Sequence, residues 1–153
     1  MYLPSGDALL FVRAGSGASG EQQIYRLERA GGAAEPVPGA PKPSYDPAVS
    51  RDGRWLAFAA RDGARTDIFA MALAGGGTPL RLSDMGAARA PAFSPDGRQI
   101  AFLAIAPGEG GFDLWVADLT VDAGGGLRAS APRRLTTGLS LDADSGLSWA
   151  GGQ

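Results

Sequence analysis

The sequence of 153 residues contains no cysteine and no histidine. The absence of cysteine excludes disulfides, thiolate catalysis and most structural zinc sites. The absence of histidine removes the usual general base near neutral pH, so a Ser-His-Asp or Cys-His hydrolase site cannot be completed within this chain. We therefore expect a chain that is not an enzyme, with no catalytic residues, no metal site and no cofactor.

Charged residues are few, and long hydrophobic runs are missing. Lys and Arg number 14 against 16 Asp and Glu, with the two signs interspersed, whereas nucleic-acid binding needs a basic surface that neutralises phosphates. No apolar run approaches the roughly 18 residues of a membrane-spanning helix. The opening residues, MYLPSGDALLFV, lack the basic start, long apolar centre and cleavage site of a signal peptide. We expect neither a nucleic-acid partner nor membrane insertion, and no signal peptide is visible.

What the sequence does contain is a repeat. The segment PAFSPDGRQIAF, residues 91–102, matches PAVSRDGRWLAF, residues 47–58, at a distance of 44 residues. LPSGDALLFV, residues 3–12, is a weaker copy, and SGLSWAGG, residues 145–152, would begin a fourth copy with Ser148 in the place of Ser94. Self-similarity at a fixed period of about 40–45 residues is typical of propellers built from stacked units.

Each copy has the same internal order of turns and strands. A Ser-x-Asp-Gly turn, in which Ser and Asp can bond the local backbone and Gly accepts a positive φ, separates two short extended runs. A third run rich in aromatic and β-branched residues follows, FDLWVADL in one copy and DIFAMAL in another, and a Gly-rich turn leads to a short fourth run. The predicted structural turn residues are Ser50, Asp52, Gly53, Ser94, Asp96 and Gly97.

These features predict an all-β chain made of β-propeller blades, each of four antiparallel strands, with about three blades plus the start of a fourth. The third runs are apolar on both sides, so both faces of each sheet need covering, as they are in stacked blades. We treat residues 1–153 as a single partial β-propeller domain. The approximate blade boundaries are 1–40, 41–86 and 87–138, with the start of the next blade at 139–153.

The repeat has a recognisable pattern. Pro-x-x-Ser-Pro-Asp-Gly-Arg-x-Ile-Ala-Phe, followed by Asp-Leu-Trp-Val-x-Asp-Leu, a Gly-Gly turn and Arg-Arg-Leu-Thr, resembles the WD-like repeat of TolB-type β-propellers. That resemblance implies six blades, a periplasmic location and a non-catalytic scaffold role in protein–protein interaction at the bacterial cell envelope. The pattern is also similar to repeats in the propeller of prolyl oligopeptidase-type serine peptidases, which implies the alternative of a fragment of a substrate-gating propeller.

The number of copies is smaller than a closed ring requires, because propellers typically have four to eight blades. Three interpretations follow from the sequence. The chain is a piece of a longer protein, which we favour because the last copy stops in mid-unit. Alternatively, two copies complete one ring as a homodimer, or the blades form an open arc with exposed apolar faces and strand edges.

Other motifs are better explained as ordinary structure. Residues 15–20, GSGASG, have the G-x-G-x-x-G spacing of a dinucleotide site, but the next segment occupies a strand position and not the helix that such a site needs. Residues 146–152 fail the G-x-S-x-G pattern of a hydrolase at Ala150, and no histidine follows. We expect solvated surface at two charged clusters, comprising Arg61, Asp62, Arg65 and Asp67, and Arg133 and Arg134.

The propeller topology also predicts where a partner would bind. In an up-and-down blade the short turns lie on one rim, here called the turn rim. The connections between blades and the loops between second and third strands lie on the opposite rim, the axial rim, and loops on a rigid frame commonly carry function. The predicted binding residues, which come just before innermost strands and hence near the axis, are Tyr45, Asp46, Arg89 and Asp144, for a protein or peptide partner.

Overall fold

The computed structural model describes residues 1–15 and 21–150, and nearly all of their regular structure is β-strand. The first blade contains β1 (Ala8–Ala14), β2 (Gln22–Glu28) and β3 (Glu35–Pro36), with a bridge from Tyr2 to Leu9 at its inner edge. The second blade contains β4 (Ser44–Val49), β5 (Trp55–Asp62), β6 (Arg65–Ala72) and β7 (Leu80–Arg81), hydrogen-bonded in sequence order. Apart from Gly15, the glycine-rich stretch at 15–20 lies outside the described residues.

The third blade repeats the second and adds a hairpin. It contains β8 (Ala88–Phe93), β9 (Gln99–Ile105), β10 (Phe112–Val121) and β12 (Arg133–Arg134). The end of β10 extends past the blade and pairs with β11 (Leu127–Ala129). A short 3-10 turn, Ala143–Ser145, follows and lies against β8. All strand pairs within the three sheets are antiparallel. The prediction of an all-β partial propeller is confirmed; its sheets have three, four and five strands.

The turn between the first two strands of each blade has one backbone conformation. Gly53 N donates to Ser50 O at 2.9 Å, and Gly97 N donates to Ser94 O at the same distance. The glycine φ values are +74° and +71°, a region in which a residue with a Cβ is strained. In the first blade Gly6 has a φ of +72° and its N–H donates to Leu3 O at 2.8 Å. The weak first copy of the repeat therefore forms the same turn.

Two apolar cores hold the three blades together. Successive residues of β5 point to opposite faces of the second blade. Leu56 and Phe58 lie on its leading face, which we define as the face toward the preceding blade, and they are fully buried against Leu10 and Ile24 of the first blade. Burying a side chain of this size contributes about 1.5–3 kcal/mol, so this core fixes the first blade against the second.

The trailing face of the second blade, toward the following blade, forms the other core. Ala57 and Ala59 of β5 and Ile68 of β6 pack against Ile100 and Phe102 of the third blade. The sheet of the second blade, in the middle of the arc, is thus covered on both faces, as its doubly apolar third strand predicts. Among the described residues, no helix has the length and apolar character needed to cross a membrane.

Candidate functional site at the axial rim

The innermost strands β4 and β8 each contain one β-bulge, and both bulges lie at the axial rim. The register of β4 against β5 shifts between Tyr45 and Ala48, and that of β8 against β9 shifts between Arg89 and Ala92. Asp46 takes a φ of +53° within the first bulge, where a residue with a side chain is uncommon. Because a bulge redirects the side chains around it, Asp46 points from the second blade toward the third.

The bulges bring Asp46 and Arg89 into a charged pair that joins two blades. Arg89 Nε donates to Asp46 Oδ2 at 2.6 Å, and Arg89 Nη2 donates to Asp46 Oδ1 at 3.3 Å. The backbone N–H of Ala90 also donates to Asp46 Oδ2, at 3.1 Å. The hydrogen bond that Arg89 donates to Asp46 is the main cause that raises the pKa of Arg89 above its ordinary value. These two hydrogen bonds fix the plane of the Arg89 guanidinium group at the axial rim.

Tyr45 and Asp144 complete the cluster. The guanidinium carbon of Arg89 lies 4.8 Å from the centroid of the Tyr45 ring, within cation–π distance, and the Tyr45 hydroxyl is 3.1 Å from Thr66 Oγ1. Arg89 Nη2 also lies 3.5 Å from Asp144 Oδ1. The four residues predicted from the repeat are therefore adjacent in space, and we call them the axial cluster.

The axial cluster is accessible and borders two cavities. Arg89 is 29% exposed, Asp46 is 24% exposed and Asp144 is 85% exposed. A groove of about 580 Å³ between the first and second blades is lined by Tyr45, Asp46, Arg61 and Arg89. A second cavity of about 380 Å³ lies between β4, β8 and residues 143–149, and Asp46 and Asp144 line it. The cluster thus places both charge signs beside an aromatic ring at the axial rim.

The residues predicted to begin a fourth copy lie against the third blade. Gly146 ends the short 3-10 turn with a φ of +72°. Trp149 Nε1 donates to Ala92 O at 3.0 Å. The segment that begins a fourth unit thus lies beside the innermost strand of the third blade.

The expectation of a solvated surface cluster is wrong for Asp67. The Asp67 side chain is 1% exposed on β6 and accepts a hydrogen bond from Arg81 Nη2 at 2.5 Å and one from Ser83 Oγ at 2.8 Å. Backbone N–H groups of Met85 and Gly86 donate to the same carboxylate at 2.9 and 3.1 Å. Burial alone would raise the pKa of Asp67, but these bonds lower it below its ordinary value.

The third blade contains the same network around Asp113, and Arg134 belongs to it. Asp113 is 1% exposed on β10 and accepts from Arg134 Nη2 at 2.6 Å and from Thr136 Oγ1 at 2.9 Å. The N–H groups of Gly138 and Leu139 complete it at 3.0 and 3.1 Å. Burial would raise the pKa of Asp113, but the hydrogen bonds hold it well below its ordinary value. These carboxylates tie the third strand of a blade to its fourth strand and to the connection that follows.

The predicted turn residues lie on the turn rim, away from the axial cluster. Ser50 Oγ donates to Asp52 Oδ1 at 2.6 Å, and the same Oδ1 accepts from Arg54 N at 3.0 Å. Ser94 and Asp96 repeat the first contact at 2.6 Å. The serine hydrogen bond is the main cause that lowers the pKa of each carboxyl group. Both aspartates serve their own turns, and among residues 1–15 and 21–150 no acidic group of three is arranged to hold a metal ion.

Stacked antiparallel sheets of three to five strands, with short turns on one rim and the interblade connections on the other, define an arc of a β-propeller. No protein-family model and no curated protein matches the sequence. Solved structures do match. The chain is similar to the putative TolB from Agrobacterium tumefaciens, with a TM-score of 0.68 and 27% identity over 89% of this chain. It is also similar to TolB from Acinetobacter baumannii, with a TM-score of 0.67 and 21% identity over 93% of this chain.

The similarity extends to the propellers of peptidases. The β-propeller domain of the Trilobed protease from Pyrococcus furiosus matches with a TM-score of 0.57 and 16% identity, over 74% of this chain and 37% of that one. The chain spans 44% of the Agrobacterium protein and 32% of the Acinetobacter protein, less than half of either. The fold is that of TolB-type propeller blades, and the predicted resemblance is confirmed.

Proposed function

We propose that the chain is a non-catalytic β-propeller scaffold for protein–protein interaction and that its partner binds at the axial rim. The observation that carries this proposal is the axial cluster, in which Arg89 is held by Asp46 over the ring of Tyr45. Arginine and tyrosine are enriched among residues that dominate binding energy at interfaces. Because Arg89 is already fixed in one geometry, a partner would bind it with little loss of side-chain entropy.

The groove beside the cluster supports a protein or peptide partner. Its volume of about 580 Å³ is bounded by Glu21 and Arg61 as well as by the cluster, so a bound segment would meet both charge signs. Loops and strand ends on a rigid frame are a common place for such contacts. Mixed charges at an interface select a partner and fix its register more than they add raw affinity. We therefore expect a partner segment that carries both acidic and basic residues.

The proposed location is the periplasm of a bacterial cell envelope, and the proposed complete ring has six blades. The similarity to two TolB structures supports both statements. Fractionation of the native cells, with antibody detection of the chain in the periplasmic fraction, tests the location directly.

A second candidate function is favoured by the peptidase neighbours. The chain is also similar to acylaminoacyl peptidase of Pyrococcus horikoshii, with a TM-score of 0.52 and 14% identity over 84% of this chain. In this alternative the blades belong to a propeller that gates access of substrates to a hydrolase domain. The deciding observation is whether the native reading frame continues into a G-x-S-x-G turn followed by Asp and His. If it lacks that continuation, the peptidase alternative is rejected.

Site-specific photo-cross-linking in the native cells tests the proposed binding rim. Arg61, which lines the axial groove, is replaced by p-benzoylphenylalanine in one variant, and Thr120, on the turn rim, is replaced in the control. We expect a discrete cross-linked protein from position 61 and none from position 120. Adding Arg89→Ala to the first variant should lower its yield at least several-fold. Equal adducts from both rims, or a yield that Arg89→Ala leaves unchanged, would reject the axial rim as the binding site.

A further inference from the structure

A groove of about 590 Å³ lies on the turn rim, between the second and third blades. The sheets of these two blades have four and five strands, so the groove lies inside the arc and not at an end of it. Three segments line the groove: the β4–β5 turn, the β8–β9 turn and the β10–β11 hairpin. A volume of this size, lined by several segments of a rigid frame, is typical of a site for a small molecule.

The β10–β11 hairpin gives the groove an apolar wall. β10 pairs with β9 as far as Asp118, and its last three residues extend beyond that pairing. Leu119 is buried in the core between the two blades, and Leu127 of β11 is half-buried against the same core. Val121 is 46% exposed, although it is a large apolar residue. The apolar part of a ligand would therefore find a contact surface on this hairpin.

Trp55 lines the groove on the side of the second blade. It is the first residue of β5 and lies on the same face as Ala57 and Ala59, toward the third blade. Its side chain is half-buried, and the guanidinium carbon of Arg54 lies 5.5 Å from the centroid of its ring, within cation–π distance. An indole ring and a guanidinium group are both surfaces on which a planar ligand ring can stack.

Three exposed arginines also line the groove. In the part of the chain that the structure describes, Arg51, Arg54 and Arg98 form no ion pair with a carboxylate. The two aspartates of the lining, Asp52 and Asp96, each accept hydrogen bonds from a serine hydroxyl and a backbone N–H of their own turn. Positive charge is thus in excess, and guanidinium groups bind phosphate and carboxylate oxygens through paired N–H donors.

Two residues that line the groove depart from the repeat. Arg51 stands at the second position of its β-turn, where proline is favoured, and the other two copies have Pro4 and Pro95 there. Trp55 takes the place that Gln99 has in the third blade. The third blade forms the same turn and the same strand pairing without these residues. Neither the arginine nor the tryptophan is therefore required by the fold, and a common ligand accounts for both.

We propose that this groove, the turn groove, binds a small aromatic anion, that is, a planar ring that carries a phosphate or carboxylate group. The ring stacks at Trp55 beside the hairpin wall, and the anionic group is bound by arginines of the second and third blades. The turn groove lies on the rim opposite the axial cluster, so this site is separate from the proposed partner site.

Isothermal titration calorimetry tests the turn groove with two probes, adenosine 5′-monophosphate and 4-hydroxyphenylacetate. One carries a phosphate and the other a carboxylate on a molecule with a ring. We expect at least one of them to bind, and to bind more weakly as the salt concentration rises. Adenosine, which lacks the charge, and inorganic phosphate, which lacks the ring, should bind at least about tenfold more weakly. No binding of either probe, or equal binding of adenosine or inorganic phosphate, would overturn the proposal.

Substitutions that restore the repeat separate binding from stability. Arg51→Pro inserts the proline of the other copies, so it should leave the thermal unfolding temperature unchanged and weaken probe binding at least about fivefold. Trp55→Gln should weaken binding as well. Arg29→Ala is the matched control, because Arg29 is exposed on the turn rim outside the groove, and it should bind the probe like the unmodified chain.

Two results would contradict this assignment. One is an Arg51→Pro variant that binds the probe as tightly as the unmodified chain, or a loss of binding that Arg29→Ala produces equally. The other is a discrete protein cross-linked from p-benzoylphenylalanine at position 120. Thr120 lines the turn groove, so such an adduct would show that a protein and not a small molecule occupies it.

Discussion

At the scale of single residues, the buried carboxylates of Asp67 and Asp113 hold the fourth strand of a blade against its third strand. A carboxylate loses its hydration when it is buried and needs several donors in return. Each of these groups receives an arginine, a hydroxyl and two backbone N–H groups. In the first blade Gln23 and Pro36 stand at the places of the aspartate and the arginine, so the network is limited to the second and third blades.

Asp67→Asn should destabilise the chain. The substitution removes the negative charge that pairs with Arg81, and it replaces one carboxylate oxygen by an NH2 group that faces other donors. We expect these changes to lower the free energy of unfolding by about 1.5–3 kcal/mol. Asp84→Asn is the matched control, because Asp84 bonds Arg65 in the same connection but is 79% exposed. Its effect should stay below about 1 kcal/mol. Equal losses for both variants in urea denaturation would contradict the structural role of Asp67.

The lowered pKa values of Asp67 and Asp113 predict acid sensitivity. Asp67 and Asp113 have lower pKa values in the fold than in the unfolded chain. Such a carboxyl group stabilises the fold at pH values above its unfolded pKa, about 3.9, and this stabilisation is lost as the pH falls below that pKa. The free energy of unfolding should therefore be steady from pH 7 to pH 5 and decrease below about pH 4. Asp67→Asn should make that decrease shallower. A slope below pH 4 that is identical in both proteins would contradict this assignment.

The turn glycines give a second prediction at the residue scale. Gly53→Ala places a Cβ in open space but at a φ of +74°, which we expect to cost about 1–2 kcal/mol. Gly110→Ala is the control, because Gly110 also faces open space and no left-handed φ is found there. It should change stability by less than about 0.5 kcal/mol. Thermal unfolding of the two variants separates the cost of backbone strain at a positive φ from any cost of adding a methyl group.

The sequence predicts the turn positions and the axial cluster but not the buried network, and the reason is spacing. Asp67 and Arg81 are 14 residues apart, whereas Asp113 and Arg134 are 21 apart. The β10–β11 hairpin lengthens the interval between Asp113 and Arg134. The two blades share an aspartate on the third strand and Arg-Leu-Ser or Arg-Leu-Thr on the fourth, but the unequal intervals hide this pattern. An alignment of the third and fourth strands of the two blades, made without regard to the length between them, would have predicted both networks.

At the scale of strands and blades, alternation along each strand decides which blade a residue meets. Leu10 faces the second blade and Leu9 faces away from it, although they are neighbours in β1. The repeat predicts this alternation well, because equivalent residues recur in each copy. The bulges at Asp46 and Ala90 are harder to predict, since Asp-Pro and Ala-Pro are compatible with an ordinary extended strand. The contacts of Arg89 depend on those bulges.

Equivalent phenylalanines in two blades should therefore differ in their contribution to stability. Phe58→Ala removes a fully buried ring between two blades and should cost about 3–5 kcal/mol. Phe11→Ala, at the same place in the first blade, should cost about 1 kcal/mol or less in the monomer. Both variants are compared with the wild-type chain by urea denaturation. Similar costs would show that the leading face of the first blade is covered within one copy.

At the scale of the whole molecule, the arc separates two rims that differ in their side-chain contacts. The turn rim is built from side chains that satisfy their own backbone turns, whereas the axial rim gathers side chains from different blades, with Asp46 and Arg89 separated by 43 residues. The proposed binding site depends on two blades, so it is rigid only when the core between those blades is intact. Substitutions that loosen those cores should therefore weaken binding without touching the rim.

Hydrogen–deuterium exchange on the chain, alone and in complex with its cross-linked partner, tests the central claim most directly. The account predicts slower amide exchange in the complex at residues 44–46, 88–90 and 142–146, which surround the axial cluster. Exchange at 51–54 and 95–98, on the turn rim, should stay unchanged. Protection confined to those turns, with unchanged exchange around Asp46 and Arg89, would contradict the assignment of the binding site to the axial rim.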